Sequence, residues 1–213
     1  MTELIICGDT GSGNYSQRIV ANSMIQLIKQ NPKIESVILA GDNIYEYGCD
    51  SVDNNNFNTK FQIPYSKILL PFYLCLGNHD YGKDKNISQI QIDYTTSTYN
   101  TNNKWNILHN WYTQSFPPNC DFFFIDTNID KMNPTMIQEQ LEQTIQSIQN
   151  SDKKWKIVCG HHPWISVGGH GNAKGELKIY LEQLFSSVNI DLYVCGHDHC
   201  KSIIEIPYKQ LKQ

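Results

Sequence analysis

Five short apolar runs along the chain each stop at a polar block that opens with glycine. Runs this short and this uniformly apolar are typical of strands that are buried in a parallel sheet. We therefore predict strands at residues 4–7, 37–40, 72–76, 155–159 and 191–195. The polar blocks that follow these strands are, in order, Gly8-Asp9-Thr10-Gly11, Gly41-Asp42-Asn43-Ile44-Tyr45, Gly77-Asn78-His79-Asp80-Tyr81, Gly160-His161-His162-Pro163 and Gly196-His197-Asp198-His199.

Three segments between the strands carry apolar residues at helical spacing and predict helices at 18–29, 134–149 and 174–187. Two further strands are predicted at 120–126 and 202–206. The stripe of the first helix that is expected to face the core consists of Val20, Met24, Leu27 and Ile28. Strands that alternate with helices predict an α/β layered domain. In such sheets ligand sites gather at the carboxyl ends of the strands, which is where the five polar blocks lie.

The composition narrows the class of protein. A length of 213 residues predicts one domain, 1–213, that can bury a substantial core. The net charge is −4 and Arg18 is the only arginine, so we expect no nucleic-acid partner. No apolar run approaches the roughly 20 residues of a membrane span, so no membrane partner is expected either. The first strand leaves no room for a signal peptide, which predicts a reducing, cytoplasmic location. The alternative is a secretory location, if the N-terminus is incomplete.

The polar blocks offer side chains that bind metals. A single Gly-Asp turn or a lone histidine is weak evidence, but here such residues share one position at the ends of five strands. A carboxylate has two oxygens, and we assign Asp42 to bridge two cations. Mixed oxygen and imidazole donors suit first-row metals. Two such ions about 3.5–4 Å apart are the arrangement that hydrolyses phosphate esters.

The ordered set of blocks resembles the calcineurin-like metallophosphoesterases, and within them the purple acid phosphatases of the small, tartrate-resistant type. The deciding block is Gly41-Asp42-Asn43-Ile44-Tyr45, because purple acid phosphatases use a tyrosine at that spacing as a phenolate ligand to ferric iron. Tyr81, Trp105-Asn106 and Asp126-Thr127 also fit, and the resemblance extends from residue 4 to residue 199. It implies a metallophosphoesterase β-sandwich flanked by helices in αββα layers. Because the chain ends fourteen residues after His199, some C-terminal strands are expected to be missing.

The resemblance also implies a ligand set for two metal ions. The Fe(III) ion would take Asp9, Asp42, Tyr45 and His199. The second ion, Fe(II), Zn(II) or Mn(II), would take Asp42, Asn78, His161 and His197. In this family a metal-bound hydroxide attacks phosphorus in line.

Four polar residues near the ligands are given other roles. By resemblance, His79 and His170 would bind the phosphate and help to protonate the leaving alkoxide. His170 lies in a glycine-rich loop, and an ordinary surface histidine is its alternative reading. We expect His162 to point away from the site, because adjacent side chains leave a strand end in different directions. Asp198 is expected to brace the loop that holds the last two ligands.

The resulting functional hypothesis is a binuclear phosphomonoesterase, an acid phosphatase that acts on small-molecule phosphate esters or on phosphoproteins. A phosphodiesterase or nuclease of the same superfamily would use the same ligands, although the lack of a basic groove argues against nucleic-acid substrates. A third hypothesis comes from another class. It is an inactive, truncated regulatory protein that keeps the site without turnover, and the short C-terminus motivates it.

Overall fold

Two four-stranded sheets stack face to face, with helices on both outer faces. The computed structural model describes residues 3–83 and 87–206. The first sheet has the strand order β1-β2-β3-β4 and the second has the order β5-β6-β7-β8. The predicted αββα architecture is therefore confirmed.

The first half of the chain forms the first sheet, in which all neighbouring strands run parallel. Its elements, in chain order, are β1 (Glu3–Cys7), α1 (Tyr15–Gln30), β2 (Ile34–Leu39), α2 (Asn55–Phe57) with a π-helical turn at Asn58–Gln62, β3 (Phe72–Leu74), a 3₁₀ turn at His79–Tyr81, α3 (Gln89–Tyr94), a 3₁₀ turn at Thr101–Asn103 and β4 (Trp105–Asn106). Asn14 is the N-cap of α1, because its side-chain oxygen accepts a hydrogen bond from the N–H of Gln17 at 3.0 Å.

The second half forms the second sheet. Its elements are β5 (Tyr112–Phe116), β6 (Cys120–Phe124), a 3₁₀ turn at Ile129–Lys131, α4 (Pro134–Asn150), β7 (Trp155–Cys159), α5 (Gly175–Ser187) and β8 (Leu192–Val194). β5 and β6 are antiparallel, whereas β6, β7 and β8 run parallel. The helices α4 and α5 make the crossovers between the parallel strands. The carboxyl ends of these strands therefore share one edge.

The core has three layers, and the alternation of side chains along each strand creates them. In β2, Val37 and Leu39 pack outward with α1, whereas Ile38 packs inward between the sheets. The inner layer is rich in aromatic rings, and the outer layer of the second sheet packs against α4 and α5. The buried residues of the inner layer are Ile38, Ala40, Cys75, Phe116, Phe122, Phe124 and Cys159.

The face of α1 that is buried differs from the predicted stripe. Met24 is buried as expected, but Val20 and Leu27 are 43% and 47% exposed. The reason is Gln17, whose side-chain amide donates to the carbonyl oxygen of Lys60 at 2.7 Å and contacts the hydroxyl of Tyr65 at 3.3 Å. These hydrogen bonds hold the Gln17 side of the helix against the segment that carries Lys60 and Tyr65, and the buried apolar residues of α1 are Ala21, Met24 and Ile25.

The strand predicted at 202–206 does not form. Residues 201–206 have no regular secondary structure, and Ile203 is 95% exposed. A strand needs a neighbour that accepts its hydrogen bonds, and within the described part of the chain no strand pairs with this segment. All seven cysteines are free thiols. The described helices are all too short or too polar to cross a lipid bilayer.

We expect the free energy of unfolding to depend strongly on the aromatic rings of the inner layer. Phe124 is 1% exposed and stacks on Tyr112 with ring centroids 4.5 Å apart. We expect Phe124→Ala to lower the free energy of unfolding by about 3–5 kcal/mol, because the cavity cannot close between two sheets. Denaturant unfolding measures this change. The control is Ile179→Ala on α5, whose side chain is 64% exposed. A comparable loss in both variants would contradict the predicted role of the inner layer.

Candidate metal centre

The loops that follow β1, β2, β7 and β8 are tied together by backbone hydrogen bonds. In the first sheet, the N–H of Asp9 donates to the carbonyl oxygen of Gly41 at 3.0 Å. In the second sheet, the N–H of Gly196 donates to the carbonyl oxygen of His161 at 3.0 Å. The two pairs of loops meet across the sandwich, where Nδ1 of His161 lies 2.8 Å from the carbonyl oxygen of Ala40. The polar blocks therefore form one continuous surface.

One group of candidate ligands gathers around Tyr45. Its hydroxyl donates to Oδ1 of Asp9 at 3.3 Å and lies 3.1 Å from Nε2 of His199. Nε2 of His199 is in turn 3.5 Å from Oδ1 of Asp9. These are three of the four side chains that the resemblance assigns to the ferric ion.

A second group gathers around His161. Nε2 of His161 lies 3.4 Å from Oδ1 of Asp42, 3.1 Å from Oδ1 of Asn78 and 3.2 Å from Nδ1 of His197. One ligand atom each from Asp9, Asp42 and His161 lies within 4.8 Å of the others, so Asp42 stands between the two groups. The structure thus brings all seven predicted ligands into one cluster.

Four of these residues hold a backbone conformation that is rare outside glycine. The φ angles are 58° at Asp9, 52° at Asp42, 71° at His197 and 50° at His199. A left-handed backbone at a residue with a side chain costs about 1–2 kcal/mol, and it persists only where the surroundings enforce it. At His197 two hydrogen bonds hold this conformation, because its N–H donates to both carboxylate oxygens of Asp9 at 3.0 Å. Strain of this kind collects at functional sites.

A glycine is required where the loop after β3 passes Asp42. A Cβ atom on Gly77 would lie 2.2 Å from both the backbone nitrogen and Oδ1 of Asp42. These distances are far shorter than any van der Waals contact. The glycine that opens this polar block therefore allows the carboxylate of Asp42 to occupy its position.

The buried carboxylate of Asp80 holds the loops after β2 and β3 together. It accepts hydrogen bonds from the backbone N–H groups of Asn43, Ile44 and Gly77 at 2.8–3.1 Å, and another from the side chain of Gln91 at 2.6 Å. Burial, followed by the nearby charge of Asp42, raises the pKa of Asp80 to about 6. The side chain points into the protein, so its role is to brace the two loops.

The hydrogen bonds of His161 indicate where a cation fits. Its Nδ1 and Nε2 both face oxygen atoms, those of Ala40 and Asn78, and Nε2 also faces Asp42. Burial disfavours a charged ring, but the hydrogen bond and charge of Asp42 outweigh it and raise the pKa of His161. Burial likewise opposes ionisation of Asp42, yet His161 lowers the pKa of Asp42 to about 2. Nε2 of His161 therefore faces a position between Asp42, Asn78 and His197 that suits a cation.

The electrostatics of Tyr45 also indicate that a cation fits at this cluster. Burial, and then the charges of Asp42 and Asp9, raise the pKa of the Tyr45 phenol. Burial and the charge of Asp42 also raise the pKa of Asp9, against the opposing effect of His161. A metal cation between these groups would reverse both shifts, because a bound cation favours the deprotonated form of each ligand. The donor set of carboxylate, phenol, amide and imidazole therefore fits two metal ions.

The two histidines assigned to phosphate lie on different sides of the cluster. Nδ1 of His79 is 2.6 Å from the carbonyl oxygen of Glu46, and Nε2 of His79 is 3.9 Å from Oδ2 of Asp42. The exposed ring of His170 lies beside His197, with centroids 4.3 Å apart. Each histidine is therefore within reach of a ligand bound at the cluster.

Asp198 connects the His170 loop to the metal-ligand loop. Its Oδ1 accepts a hydrogen bond from the N–H of His170 at 2.7 Å, and its Oδ2 accepts one from the hydroxyl of Ser166. The bracing role expected for Asp198 is thus visible in its contacts.

The expectation that His162 points away from the site is wrong. Its ring centroid lies 4.5 Å from that of His197 and 4.9 Å from that of His161. The hydroxyl of Thr127 lies 2.8 Å from Nδ1 of His162 and holds the ring there. Burial, followed by the charges of His161 and His197, lowers the pKa of His162 to about 3. The only sequence signals for this contact are the His161-His162 pair and a threonine that follows a different strand.

The position of Gly77 predicts that the cluster tolerates no side chain there. We expect Gly77→Ala to displace Asp42, to reduce the bound metal to at most one ion per chain, and to destabilise the fold by about 1–3 kcal/mol. Elemental analysis and thermal unfolding measure the two effects. Gly169→Ala is the matched control, because a Cβ atom on Gly169 meets nothing within 4 Å. Full metal content in Gly77→Ala would contradict the assignment of Asp42.

Comparison with known proteins agrees with this geometry. The model of the calcineurin-like phosphoesterase family matches residues 2–201. Purple acid phosphatase 4 of Arabidopsis thaliana is 31% identical over 92% of this chain and 61% of its own length. Tartrate-resistant acid phosphatase type 5 of Mus musculus is 26% identical over 87% of this chain and 61% of its own length. The chain therefore spans about three-fifths of the length of these curated relatives.

Solved structures share the fold. GAP50, the anchor in the inner membrane complex of Plasmodium, superposes with a TM-score of 0.75 at 22% identity, covering 92% of this chain and 65% of that protein. Purple acid phosphatase PPD1 from yellow lupin (Lupinus luteus) gives a TM-score of 0.64 at 17% identity, covering 92% of this chain and 38% of that one. The predicted resemblance to purple acid phosphatases is confirmed by the curated relatives, such as purple acid phosphatase 4 at 31% identity. The match over residues 2–201 shows that the chain belongs to the calcineurin-like phosphoesterase family.

Proposed function

We propose that this protein is a phosphomonoesterase of the purple acid phosphatase type, with a ferric ion and a divalent ion in the cluster described above. The observation that carries the proposal is the position of Tyr45, whose hydroxyl lies against Asp9 and His199. A phenol in this position distinguishes the cluster from one built of carboxylates and imidazoles alone. The names of the curated relatives support the same assignment.

The ligand side chains divide between two ions that share Asp42. Asp9, Tyr45 and His199 would hold the ferric ion, whereas Asn78, His161 and His197 would hold Fe(II), Zn(II) or Mn(II). When bound, the two ions would stabilise charge on the phosphoryl oxygens and supply a nucleophile near neutral or acidic pH.

The protein's own residues supply the proton for the leaving group. A carbonyl oxygen only accepts hydrogen bonds, so Nδ1 of His79 carries a proton that it donates to Glu46. A second proton on this ring therefore sits on Nε2, at the edge that lies 3.9 Å from Asp42. His79 can hold this proton beside a bound phosphate ester and release it to the departing alkoxide. His170 is the second candidate for this role.

A visible absorption band tests the iron–phenolate assignment. We expect the iron-loaded protein to be coloured, because a phenolate bound to ferric iron gives a charge-transfer band, and we expect Tyr45→Phe to abolish that band. Tyr15→Phe is the control, since Tyr15 is 77% exposed. A colourless iron-loaded protein, or a colour that survives Tyr45→Phe, would contradict the ferric assignment.

Turnover tests the phosphatase assignment. We expect hydrolysis of aryl phosphate monoesters, and we expect His79→Ala to lower kcat by about 10²–10⁴-fold through loss of the general acid. His109→Ala is the control, because His109 is exposed and packs on Trp111 with ring centroids 4.7 Å apart. Preferential hydrolysis of diesters would instead favour the phosphodiesterase hypothesis. Two bound ions without hydrolysis of either ester would favour a protein that keeps the site without turnover.

A further inference from the structure

The hydroxyl of Thr127 has three polar neighbours that the metal cluster does not explain. The backbone N–H of His161 lies 3.2 Å from its oxygen, the backbone N–H of His162 lies 3.0 Å away, and Nδ1 of His162 lies 2.8 Å away. A threonine hydroxyl has one hydrogen to donate and two lone pairs to accept with. Three neighbours therefore use its full capacity.

The identity of these neighbours determines the tautomer of His162. A backbone N–H can only donate, so the two N–H groups occupy both lone pairs of the Thr127 hydroxyl. The hydroxyl hydrogen is then left for Nδ1 of His162, which must accept it. In the neutral ring, the proton of His162 consequently sits on Nε2.

The adjacent histidine has the opposite arrangement. Nδ1 of His161 donates to the carbonyl oxygen of Ala40, so that the lone pair available for a cation is on Nε2. His161 therefore suits a metal ion, whereas His162 presents an N–H group that suits an anion. The two side chains are neighbours in space as well as in sequence, with ring centroids 4.9 Å apart.

The position of His162 places this donor beside the divalent-ion ligands. Its ring packs on His197, and the ring of His170 packs on the same imidazole. Among the described residues, Nε2 of His162 has no hydrogen-bond partner within the protein, and it is not among the buried polar atoms that lack a partner. An N–H group that is accessible and unused at this position can meet a ligand.

We propose that His162 binds a phosphoryl oxygen of the substrate through Nε2–H, and that Thr127 is the positioning residue that fixes this tautomer. The inference deepens the proposed phosphatase function and rests on it. It also argues against an alternative interpretation of the cluster, in which His161, His162 and His197 together hold a metal ion. Metal binding through Nε2 would need that nitrogen to be deprotonated, and the hydrogen bonds of Thr127 oppose it.

Two substitutions at His162 separate these readings in the metal-loaded full chain, with inorganic phosphate as the probe. Glutamine can place an amide N–H near the position of Nε2, whereas asparagine keeps a polar group near Nδ1 but cannot reach as far. We expect His162→Asn to weaken phosphate binding in calorimetry by about tenfold, the effect of losing one hydrogen bond to a charged group. The phosphate affinity of His162→Gln should stay within about threefold of that of the unmodified protein. Both variants should keep two metal ions per chain.

Two substitutions at Thr127 test its positioning role. We expect Thr127→Val to weaken phosphate binding by about tenfold and to raise KM more than it lowers kcat, with Thr127→Ser restoring both. A purely structural role for Thr127 would lower the midpoint of thermal unfolding in Thr127→Val without changing phosphate affinity. If Thr127→Val does not fold, the pair of variants at His162 still decides the question.

The ¹⁵N chemical shifts of the His162 ring in the ion-free protein report the tautomer directly. Protonated Nε2 and unprotonated Nδ1 are expected, and the reverse pattern would overturn the inference. Unchanged phosphate affinity in His162→Asn, or loss of one metal ion from both His162 variants, would also overturn it. The proposed function is judged separately, by turnover of the unmodified protein. A protein whose phosphate affinity depends on His162 but that hydrolyses no ester would refute the proposed function alone.

Discussion

The Nδ1–H of His161 donates to the carbonyl oxygen of Ala40, and this hydrogen bond joins the second sheet to the first at the candidate metal centre. It orients the imidazole so that Nε2 faces Asp42 and Asn78. The contact requires glycine at position 41, where φ is +83° and a Cβ atom would lie 2.5 Å from Nδ1 of His161. Because Asp42 comes next in the chain, the same close approach also positions the carboxylate that we propose as the bridge between the ions. This contact acts together with the hydrogen bonds from the N–H of His197 to Asp9, which also join the loops of the two sheets.

The cluster combines strained backbone conformations with a carboxylate–phenol contact that disfavours ionisation. Asp9, Asp42, His197 and His199 all have left-handed backbones. Burial, and then the neighbouring carboxylates, raise the pKa of Tyr45. A bound cation relieves the electrostatic part of this conflict, and anything that binds only the folded state stabilises it by mass action. Metal binding would then be coupled to folding, as it is in other sites whose ligands must lose protons to bind.

Sequence patterns predicted six of the eight strands in the described residues, although not β4 and β5, and they predicted the cluster, because these features are local. A buried parallel strand is a short apolar run, and the residue after it is at the edge of the sheet whatever the rest of the chain does. The side of α1 that is buried could not be predicted, since it depends on hydrogen bonds from Gln17 to Lys60 and Tyr65, more than forty residues away. The orientation of His162 likewise depends on Thr127, which follows a different strand. The strand expected at 202–206 needed a neighbour that its own sequence does not supply.

Asp198 lies between the ligands His197 and His199 and also holds the loop that carries His170. One carboxylate therefore connects the part of the protein that binds metal to the part that would deliver a proton. If His197 and His199 hold ions as proposed, those ions would also fix Asp198, and through it the backbone of the loop. The loop would then be fixed only after the ions have bound. A phosphate ester that arrives at an ion-free protein would meet a proton donor that is not yet in place.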